Sequence, residues 1–301
     1  MEKTIAVVVT FNRLQLLTEC IEALRNQTSP LDKILVIDNG SSDNTANWLK
    51  SQNDLAIVTQ TNCGSGGGFC RGIEWAYEKG FSWIWCMDDD GYPKNDALEK
   101  LLKAAAGQEL RLLNCAVIDK TDRRSFVWKT QQYTSLDHVD CELIHGKGHP
   151  FNGTLLHRKI IERAGLPEPK LFLWGDETEY YYRITRKNKI PVSTVTSSIH
   201  FHPSSAFSFK KDWDYASSWK IYFYIRNRLA IHKSKFRSKT VAIVNYACFI
   251  VAFFGVIVFF QRTHKLKKIA FLFWPLSDAI FSNYDATPTN ILSRLKKKAA
   301  A

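Results

Sequence analysis

The feature that most constrains the fold is an alternation, early in the chain, of β-branched runs with a segment of helical spacing. Residues 5–9 (IAVVV) and 34–37 (ILVI) are short runs of the kind that form buried strands. Between them, residues 14–26 place apolar side chains at the spacing of an amphipathic helix. A strand, a helix and a second strand in this order predict a βαβ unit with parallel strands.

The same alternation continues beyond the second strand. We expect a strand near residues 55–59, a glycine-rich turn at 64–68, a helix through 73–78 and a strand at 83–87. Strands that alternate with helices form a parallel sheet whose faces are covered by the helices. The sequence therefore predicts an α/β fold.

Three polar segments directly follow predicted strands, at residues 10–13, 38–43 and 88–90. Ligands of parallel sheets bind beyond the carboxyl ends of the strands, so these segments are candidates for a site. From residue 108 the pattern is mixed. It predicts strands near 111–118, 151–156 and 190–199 and a helix around 178–186, which we interpret as the second half of one domain.

The composition changes near Ser208, where aromatic and basic residues become interleaved. Of the 301 residues, 41 are Lys or Arg and 29 are Asp or Glu, a net charge of +12. Residues 208–301 contain 17 basic and 4 acidic residues, which leaves 24 and 25 for residues 1–207. We predict an α/β domain over 1–207, divided near 107/108, and a basic helical region over 208–301. The excess positive charge favours an anionic partner, either nucleic acid or a membrane surface.

Residues 241–260 (VAIVNYACFIVAFFGVIVFF) form an apolar run as long as the hydrocarbon core of a bilayer. Basic residues flank both ends, at 233–237 and 262–268. Two basic flanks fit a helix held on the inner leaflet at least as well as a single span. A helix buried in a core or in the interface of a homo-oligomer is the alternative.

The seven cysteines have neither the spacing of a zinc site nor that of a disulfide framework. The sequence starts Met1-Glu2-Lys3-Thr4 and continues directly into a strand-like run, without the features of a signal peptide. Both observations indicate a reducing, cytosolic location.

The most specific motif is Asp88-Asp89-Asp90-Gly91, which follows a predicted strand. Adjacent carboxylates repel one another unless a cation neutralises them. A divalent cation such as Mg²⁺ or Mn²⁺, bound by one or two of them and by a diphosphate, would do so. A solvated acidic turn is the alternative.

A glycine-rich segment, residues 62–72 (NCGSGGGFCRG), leads into a predicted helix. It matches neither the dinucleotide fingerprint nor the P-loop signature. Glycines nevertheless permit close approach of a backbone to a ligand, and a helix N-terminus with Arg71 in its first turn suits a phosphate. A flexible turn is the alternative.

Residues 172–180 (FLWGDETEY) open a helix with three acids. These acids could simply complement the helix dipole. However, Trp174 and Gly175 before Asp176 and Glu177 would make a concave, partly dry setting, in which a carboxylate can act as a base. After the last predicted strand, His200 and His202 could face a site as metal ligands or could be structural.

Taken in order, these motifs resemble the inverting nucleotide-sugar glycosyltransferases of family 2, which have the Rossmann-like GT-A fold. The resemblance covers residues 4 to about 230 and includes VVTFNR at 8–13 and IDNGSSD at 37–43. The glycine-rich segment followed by MDDD is similar to galactofuranosyltransferases and to the neighbouring rhamnosyltransferases.

The resemblance implies a nucleotide-sugar half at 1–107 and an acceptor half at 108–207. It implies that Asp38 binds the base and that Glu177, or alternatively Asp176, is the general base. Asp88 and Asp90 would hold Mn²⁺ or Mg²⁺, with His200 or His202 as a further ligand, and Trp174 and Gly175 would contact the acceptor. The other implied donor-binding residues are Thr10, Phe11, Asn12, Arg13, Asn39, Asn62, Gly66, Gly67, Arg71, Asp88 and Asp89.

The resemblance also implies a substrate and a location. We expect transfer of galactofuranose from its UDP donor to a lipid-linked cell-surface glycan, on the cytoplasmic face of the cell membrane. A rhamnosyltransferase with a dTDP donor is the nearest alternative. An inactive basic protein that binds membranes or nucleic acid is an alternative of another class, and basic residues beside a long apolar run favour lipid over nucleic acid.

Overall fold

The computed structural model of the protein describes residues 2–107, 110–204 and 208–300. Contacts divide the chain into two units, Met1–Pro169 with Asn188–Ser205, and Lys170–Lys187 with Ala206–Ala301. The predicted boundaries at 107/108 and 207/208 adjoin residues outside the described ones, and the predicted domains stay a prediction. Residues 170–187, which we assigned to the acceptor half, pack with the C-terminal helices.

The described part of the first unit is built on one mixed sheet. Its order is β3-β2-β1-β4-β10-β6-β11-β5, with β7 beside β6 and β8, and β9 beside β11. The strands are β1 Thr4–Thr10, β2 Lys33–Asp38, β3 Leu55–Thr59, β4 Trp83–Asp88, β5 Tyr92–Pro93, β6 Leu112–Asp119, β7 Ser125–Thr130, β8 Tyr133–Ser135, β9 Leu143–His145, β10 Asn152–His157 and β11 Val192–His202.

Five helices accompany these strands in the described part of the first unit. They are α1 Leu14–Arg25, α2 Thr45–Lys50, α3 Gly64–Glu78, α4 Ala97–Ala105 and α5 Arg158–Ala164. The predicted βαβ alternation is confirmed, because β3, β2, β1 and β4 pair with one another in parallel. Every residue of β1 is buried, since both faces of a parallel sheet are covered.

The strands predicted near 111–118, 151–156 and 190–199 correspond to β6, β10 and β11. The sheet becomes mixed here, because β10 runs antiparallel to both β4 and β6. The predicted glycine-rich turn is wrong, because α3 already begins at Gly64. The glycines allow this helix to pack closely on the sheet. A Cβ at Gly68 would lie 2.4 Å from Val9 Cγ1, and a Cβ at Gly72 would lie 2.4 Å from Val7 Cγ1.

The described part of the second unit is helical. It comprises α6 Asp176–Tyr182, which continues as a π-helical turn over Arg183–Lys187, and α7 Trp219–Lys235, α8 Lys239–Phe260, α9 Lys265–Ile280 and α10 Pro288–Ala300. Its core contains Trp213, Tyr222 and Phe223 together with Phe253 of α8 and Leu272 of α9.

Helix α8 is, among the described residues, long and apolar enough to cross a membrane by length and composition. Only 22% of its most apolar 18-residue stretch is buried. Val251 and Phe259 are 70% and 82% exposed, whereas Phe253 and Ile257 face the core of the second unit. The alternative of a helix buried on every side within the chain does not describe α8.

Candidate functional site

One group of candidate site residues lies in the first unit, where three parallel strands end. The register pairs Thr10 at the end of β1 with Asp38 at the end of β2, and pairs Val9 with Asp88 at the end of β4. The carboxyl ends of adjacent parallel strands thus bring together the segments that the sequence singled out. This is the position at which open α/β sheets bind ligands.

Asp89 and Asp90 are held by a cation and a hydroxyl from the turn after β1. Arg13 Nη1 donates to Asp89 Oδ1 at 3.1 Å and to Asp90 Oδ2 at 2.9 Å. Thr10 Oγ1 donates to Asp89 Oδ2 at 2.7 Å. Arg13 therefore neutralises part of the charge repulsion in the acidic motif, and the alternative of a freely solvated acidic turn does not fit.

The pKa values of Asp89 and Asp90 are shifted in opposite directions. Burial raises the pKa of Asp89 to about 6, although Arg13 and Thr10 act against the shift. Asp90 is also penalised by burial, but its hydrogen bond and charge interaction with His202, together with Arg13, lower its pKa to about 2. Asp90 thus stays ionised at neutral pH and is the better anionic ligand.

The donor atoms near Asp90 fit a divalent cation in part. His202 Nε2 lies 3.2 Å from Asp90 Oδ1, which makes a carboxylate and an imidazole available at one point. In the described ranges no three His, Cys, Asp or Glu side chains group as a metal site. A cation held by Asp90 and His202 would therefore take its remaining ligands from phosphate oxygens and water, as Mg²⁺ commonly does.

The other two predicted metal ligands are placed differently. His200 is fully buried, and neither ring nitrogen has a hydrogen-bond partner in the described part of the chain. Its ring packs behind Gly91, where an added Cβ would lie 2.3 Å from His200 Nε2. His200 nevertheless lies close enough to Asp90 and His202 for their charges to act on it, so its role as a ligand stays a prediction. Asp88 ends β4, and its charge contributes to the raised pKa of Arg13.

Asp38 is the most deeply buried of the predicted donor-binding residues. Its Oδ1 accepts a hydrogen bond from the Ser41 amide at 2.9 Å. Its Oδ2 is buried and has no partner among the described residues. A buried acceptor without a partner costs free energy, so this oxygen is suited to receive an N–H from a ligand such as a nucleotide base.

The turn after β1 is tied to the turn after β2. Asn12 has a φ of 55° and accepts hydrogen bonds from the amides of Ser42 and Asp43 through Oδ1. Phe11 beside it is 41% exposed, although it is a large apolar residue. The exposed ring offers a surface on which a planar base could stack.

The glycine-rich segment is placed differently from the prediction. Arg71 is in the third turn of α3, not in the first, and it pairs with Glu74 at 3.0 Å. Asn62 Oδ1 instead accepts from the Gly64 amide, and Asn39 Nδ2 donates to the Gly64 carbonyl. Gly66 and Gly67 are buried in the first turn. Asn39 and Asn62 thus position the N-terminus of α3, which suits a phosphate.

In the second unit, the loop before α6 has an unusual backbone. Phe172, Trp174 and Gly175 have φ values of 64°, 55° and 131°. The buried amide of Asn227 on α7 donates to the carbonyls of Leu171 and Leu173 at 2.8 and 2.9 Å. Asn227 therefore stabilises a backbone conformation that non-glycine residues seldom adopt.

The same loop borders a cavity of about 230 Å³. Glu177 lines it, and its carboxylate accepts from the Gly175 amide at 3.1 Å and from Thr178 Oγ1 at 3.2 Å. Asp176, in contrast, is fully buried. Of the two candidate bases, only Glu177 can contact a molecule in this cavity without a rearrangement. The cavity is lined by Trp174, Gly175, Glu177, Thr178, Tyr224, Arg228 and Ile231.

A buried acid with two hydrogen-bond donors fixes α6, and sequence reasoning missed this arrangement. Glu179 is 4% exposed and accepts from Arg183 Nε at 3.0 Å and from Ser234 Oγ at 2.6 Å. Because Ser234 lies on α7, Glu179 connects the two helices. In the sequence, Glu179 is one of three acids that could simply complement the helix dipole. Nothing in that pattern indicates that it connects α6 to α7.

Comparisons with known proteins agree with this geometry. A model of the family "Glycosyl transferase family 2" matches residues 5–165. Galactofuranosyltransferase GlfT1 of Mycobacterium tuberculosis (strain ATCC 25618 / H37Rv) is 30% identical over 222 residues, which are 69% of this chain and 73% of that protein.

Solved structures share the fold. S. aureus TarS in complex with UDP has a TM-score of 0.54 at 13% identity and covers 82% of this chain and 70% of its own. GalNAc-T7 with UDP, GalNAc and Mn²⁺ has a TM-score of 0.52 at 15% identity and covers 67% and 43%. The family match extends over more than half of the chain and includes Asp38 and the acidic motif. The chain therefore belongs to glycosyltransferase family 2 and has the GT-A fold.

Proposed function

We propose that the protein transfers galactofuranose, with inversion at the anomeric carbon, from UDP-galactofuranose to a lipid-linked cell-surface glycan. The identity with GlfT1 over 69% of the chain supports the sugar. The structures of TarS with UDP and with UDP-GlcNAc support a UDP donor. A dTDP-rhamnose donor is the alternative within the family.

The observation that carries the proposal is the position of Asp38, Asp89 and Asp90 at the carboxyl ends of β2 and β4, the two parallel strands that flank β1. Asp38 offers a buried, unpartnered carboxylate oxygen among the described residues, which suits the N–H of a uracil base. Asp90 offers an ionised carboxylate beside His202. A base acceptor and a cation site are what a nucleoside diphosphate donor requires.

Asp90 and His202 would hold Mn²⁺ or Mg²⁺. When bound, the cation supplies positive charge that stabilises the departing diphosphate. Arg13, whose Nη1 bridges Asp89 and Asp90, is within reach of the same carboxylates. The Arg13 guanidinium would add a second positive charge beside the diphosphate.

Glu177 is proposed as the general base. Its carboxylate takes the proton from an acceptor hydroxyl, the hydroxyl oxygen forms the bond to the anomeric carbon, and the bond to the diphosphate oxygen breaks. The displaced group leaves as UDP, and the configuration inverts because a single displacement takes place. The hydrogen bonds from Gly175 and Thr178 hold the carboxylate towards the cavity.

A donor screen tests the proposal. Purified protein with Mn²⁺ and an acceptor extract is offered UDP-galactofuranose, UDP-galactopyranose, UDP-GlcNAc and dTDP-rhamnose, and nucleotide release is measured. We expect release with UDP-galactofuranose alone, and its loss with excess chelator. Release only from dTDP-rhamnose would replace the sugar in the proposal, and undiminished release in chelator would remove the metal.

The location at the cytoplasmic face of the cell membrane is part of the proposal. The exposed apolar residues of α8 and the 17 basic residues after position 207 support it. Both features suit an enzyme that works on an acceptor anchored in an anionic leaflet.

A further inference from the structure

A second cavity, of about 300 Å³, lies between α9 and α10 and is lined by Trp274, Ser277, Arg294 and Lys298 among others. It is formed wholly by residues of the second unit and contains none of the residues that we assign to sugar transfer. The proposed sugar transfer therefore assigns no role to the residues that line this cavity.

The charges of this cavity are uncompensated. Arg294 and Lys298 are four residues apart on α10, so they lie on one face of the helix. Neither forms a hydrogen bond or an ion pair with another residue of the described chain, and no acid lines the cavity. Like charges at this spacing destabilise a helix unless an anion lies between them.

The walls of the cavity favour an anion with oxygen atoms. The Arg294 guanidinium lies over the Trp274 ring, with its central carbon 4.0 Å from the ring centroid, and a guanidinium in such a contact can still donate through its N–H groups. Tyr215 and Ser277, which both carry hydroxyls, belong to the same lining. A guanidinium, an ammonium and hydroxyls together are suited to a phosphate group.

An apolar stripe runs past the cavity. Leu266, Phe273 and Ile280 follow one another at seven-residue spacing on α9 and are 81%, 61% and 57% exposed. Two helical turns separate successive members, so the three side chains lie along one face. Phe273 also lines the cavity. A soluble surface seldom exposes such a stripe, whereas an interfacial helix inserts it between acyl chains.

We propose that this cavity binds the phosphodiester of an anionic phospholipid, with the Leu266–Phe273–Ile280 stripe inserted in the adjoining acyl region. A basic site beside exposed apolar residues is complementary to a charged headgroup above its own acyl chains. The inference goes beyond the proposed function, since neither the donor nor the base takes part in it.

The test compares two double variants of the full-length protein that lose the same charge from the same helix. Arg294→Gln with Lys298→Gln removes the two cations of the cavity. Lys296→Gln with Lys297→Gln is the matched control, because these lysines do not line the cavity. Gln is a good helix former, and circular dichroism checks that α10 persists.

The probe is dihexanoyl phosphatidylglycerol below its micellar concentration, so that no charged surface contributes, and binding is followed by phosphorus NMR. We expect the unchanged protein and the control to bind it, and the cavity variant to bind at least about tenfold more weakly. Dihexanoyl phosphatidylcholine should not bind to the unchanged protein, to the cavity variant or to the control variant. Equal losses in both variants, or no loss in either, would overturn the proposal.

Inorganic phosphate is the second arm. Binding of inorganic phosphate as tight as that of the phosphatidylglycerol would mean a site for free anions, and would overturn the assignment to a lipid. A failure of either kind leaves the donor screen unaffected, so the two proposals can fail separately.

Discussion

Glu177 and Asp176 are adjacent carboxylates with different surroundings, and this difference predicts which one is the base. Glu177 lines the cavity of the second unit, whereas Asp176 is fully buried. We expect Glu177→Gln to lower kcat by about 10² to 10⁴, because the amide cannot accept the proton of the acceptor. UDP affinity, measured by calorimetry, should be unchanged.

Asp176→Asn serves as the comparison, with its fold checked by circular dichroism. A large loss of kcat in a folded Asp176→Asn protein, together with a nearly active Glu177→Gln protein, would move the base to Asp176.

His149 makes the first unit sensitive to acid. Burial lowers its pKa to about 3, from an unfolded value of about 6.5. Below pH 6.5 the unfolded chain therefore binds more protons at this residue than the native chain does. The free energy of unfolding consequently decreases as the pH is lowered. Asp89, with its pKa raised to about 6, acts in the opposite direction.

The free energy of unfolding should fall between pH 7.5 and 5.5, and we expect this fall to be smaller by about 1 kcal/mol in His149→Phe than in the unchanged protein. Denaturant titration at each pH measures it. The phenyl ring can keep the contact with Trp128, whose ring centroid is 5.1 Å from that of His149. His138→Gln, at an exposed position, is the control. An acid response that is identical in His149→Phe and the unchanged protein would contradict the assignment.

At the level of elements, the close approach of α3 to β1 depends on glycine. We expect Gly72→Ala to destabilise the protein by about 1 to 3 kcal/mol, because its Cβ would lie 2.4 Å from Val7 Cγ1. Gly255→Ala on α8 is the contrast, since its Cβ would meet nothing nearer than 4.0 Å. There the better helix propensity of alanine should leave stability equal or higher, as measured by denaturant titration.

The elements also show what the sequence could predict. The alternation in residues 5–37 predicted the parallel strands because buried β-branched runs and amphipathic spacing are both local signals. The start of α3 was missed because clustered glycines normally indicate a turn, and here they serve packing against Val7 and Val9. The antiparallel β10 depends on pairing between distant residues, which no local pattern encodes.

The candidate site likewise contains residues that the sequence could predict and residues that it could not. Asp89 and Asp90 were predictable because adjacent acids after a strand are unusual, and they lie together with Arg13. The role of Asn227 was not predictable, because one amide in a helix of mixed polar and apolar residues gives no indication that it binds the carbonyls of a loop. Similarly, nothing local distinguished His202 beside Asp90 from the buried His200.

At the scale of the whole molecule, the positive charge and the exposed apolar surface occur in the same part of the chain. Residues 208–301 carry 17 basic and 4 acidic residues and include the exposed Val251 and Phe259 of α8. Binding to an anionic membrane should therefore have an electrostatic and an apolar contribution. Salt screens the first and leaves the second intact.

We expect the full-length protein to float with vesicles containing phosphatidylglycerol, and 1 M salt to release only part of it, since the Debye length then falls to about 3 Å. Val251→Ser with Phe259→Ser should leave binding at low salt and make a larger share of it reversible by salt, because the apolar contribution of α8 is reduced. Ile57→Ser, an exposed apolar position in the first unit, is the control. Full recovery of the unchanged protein in the supernatant at low salt would mean that the exposed face of α8 is covered by another protein surface, such as a second copy of the chain.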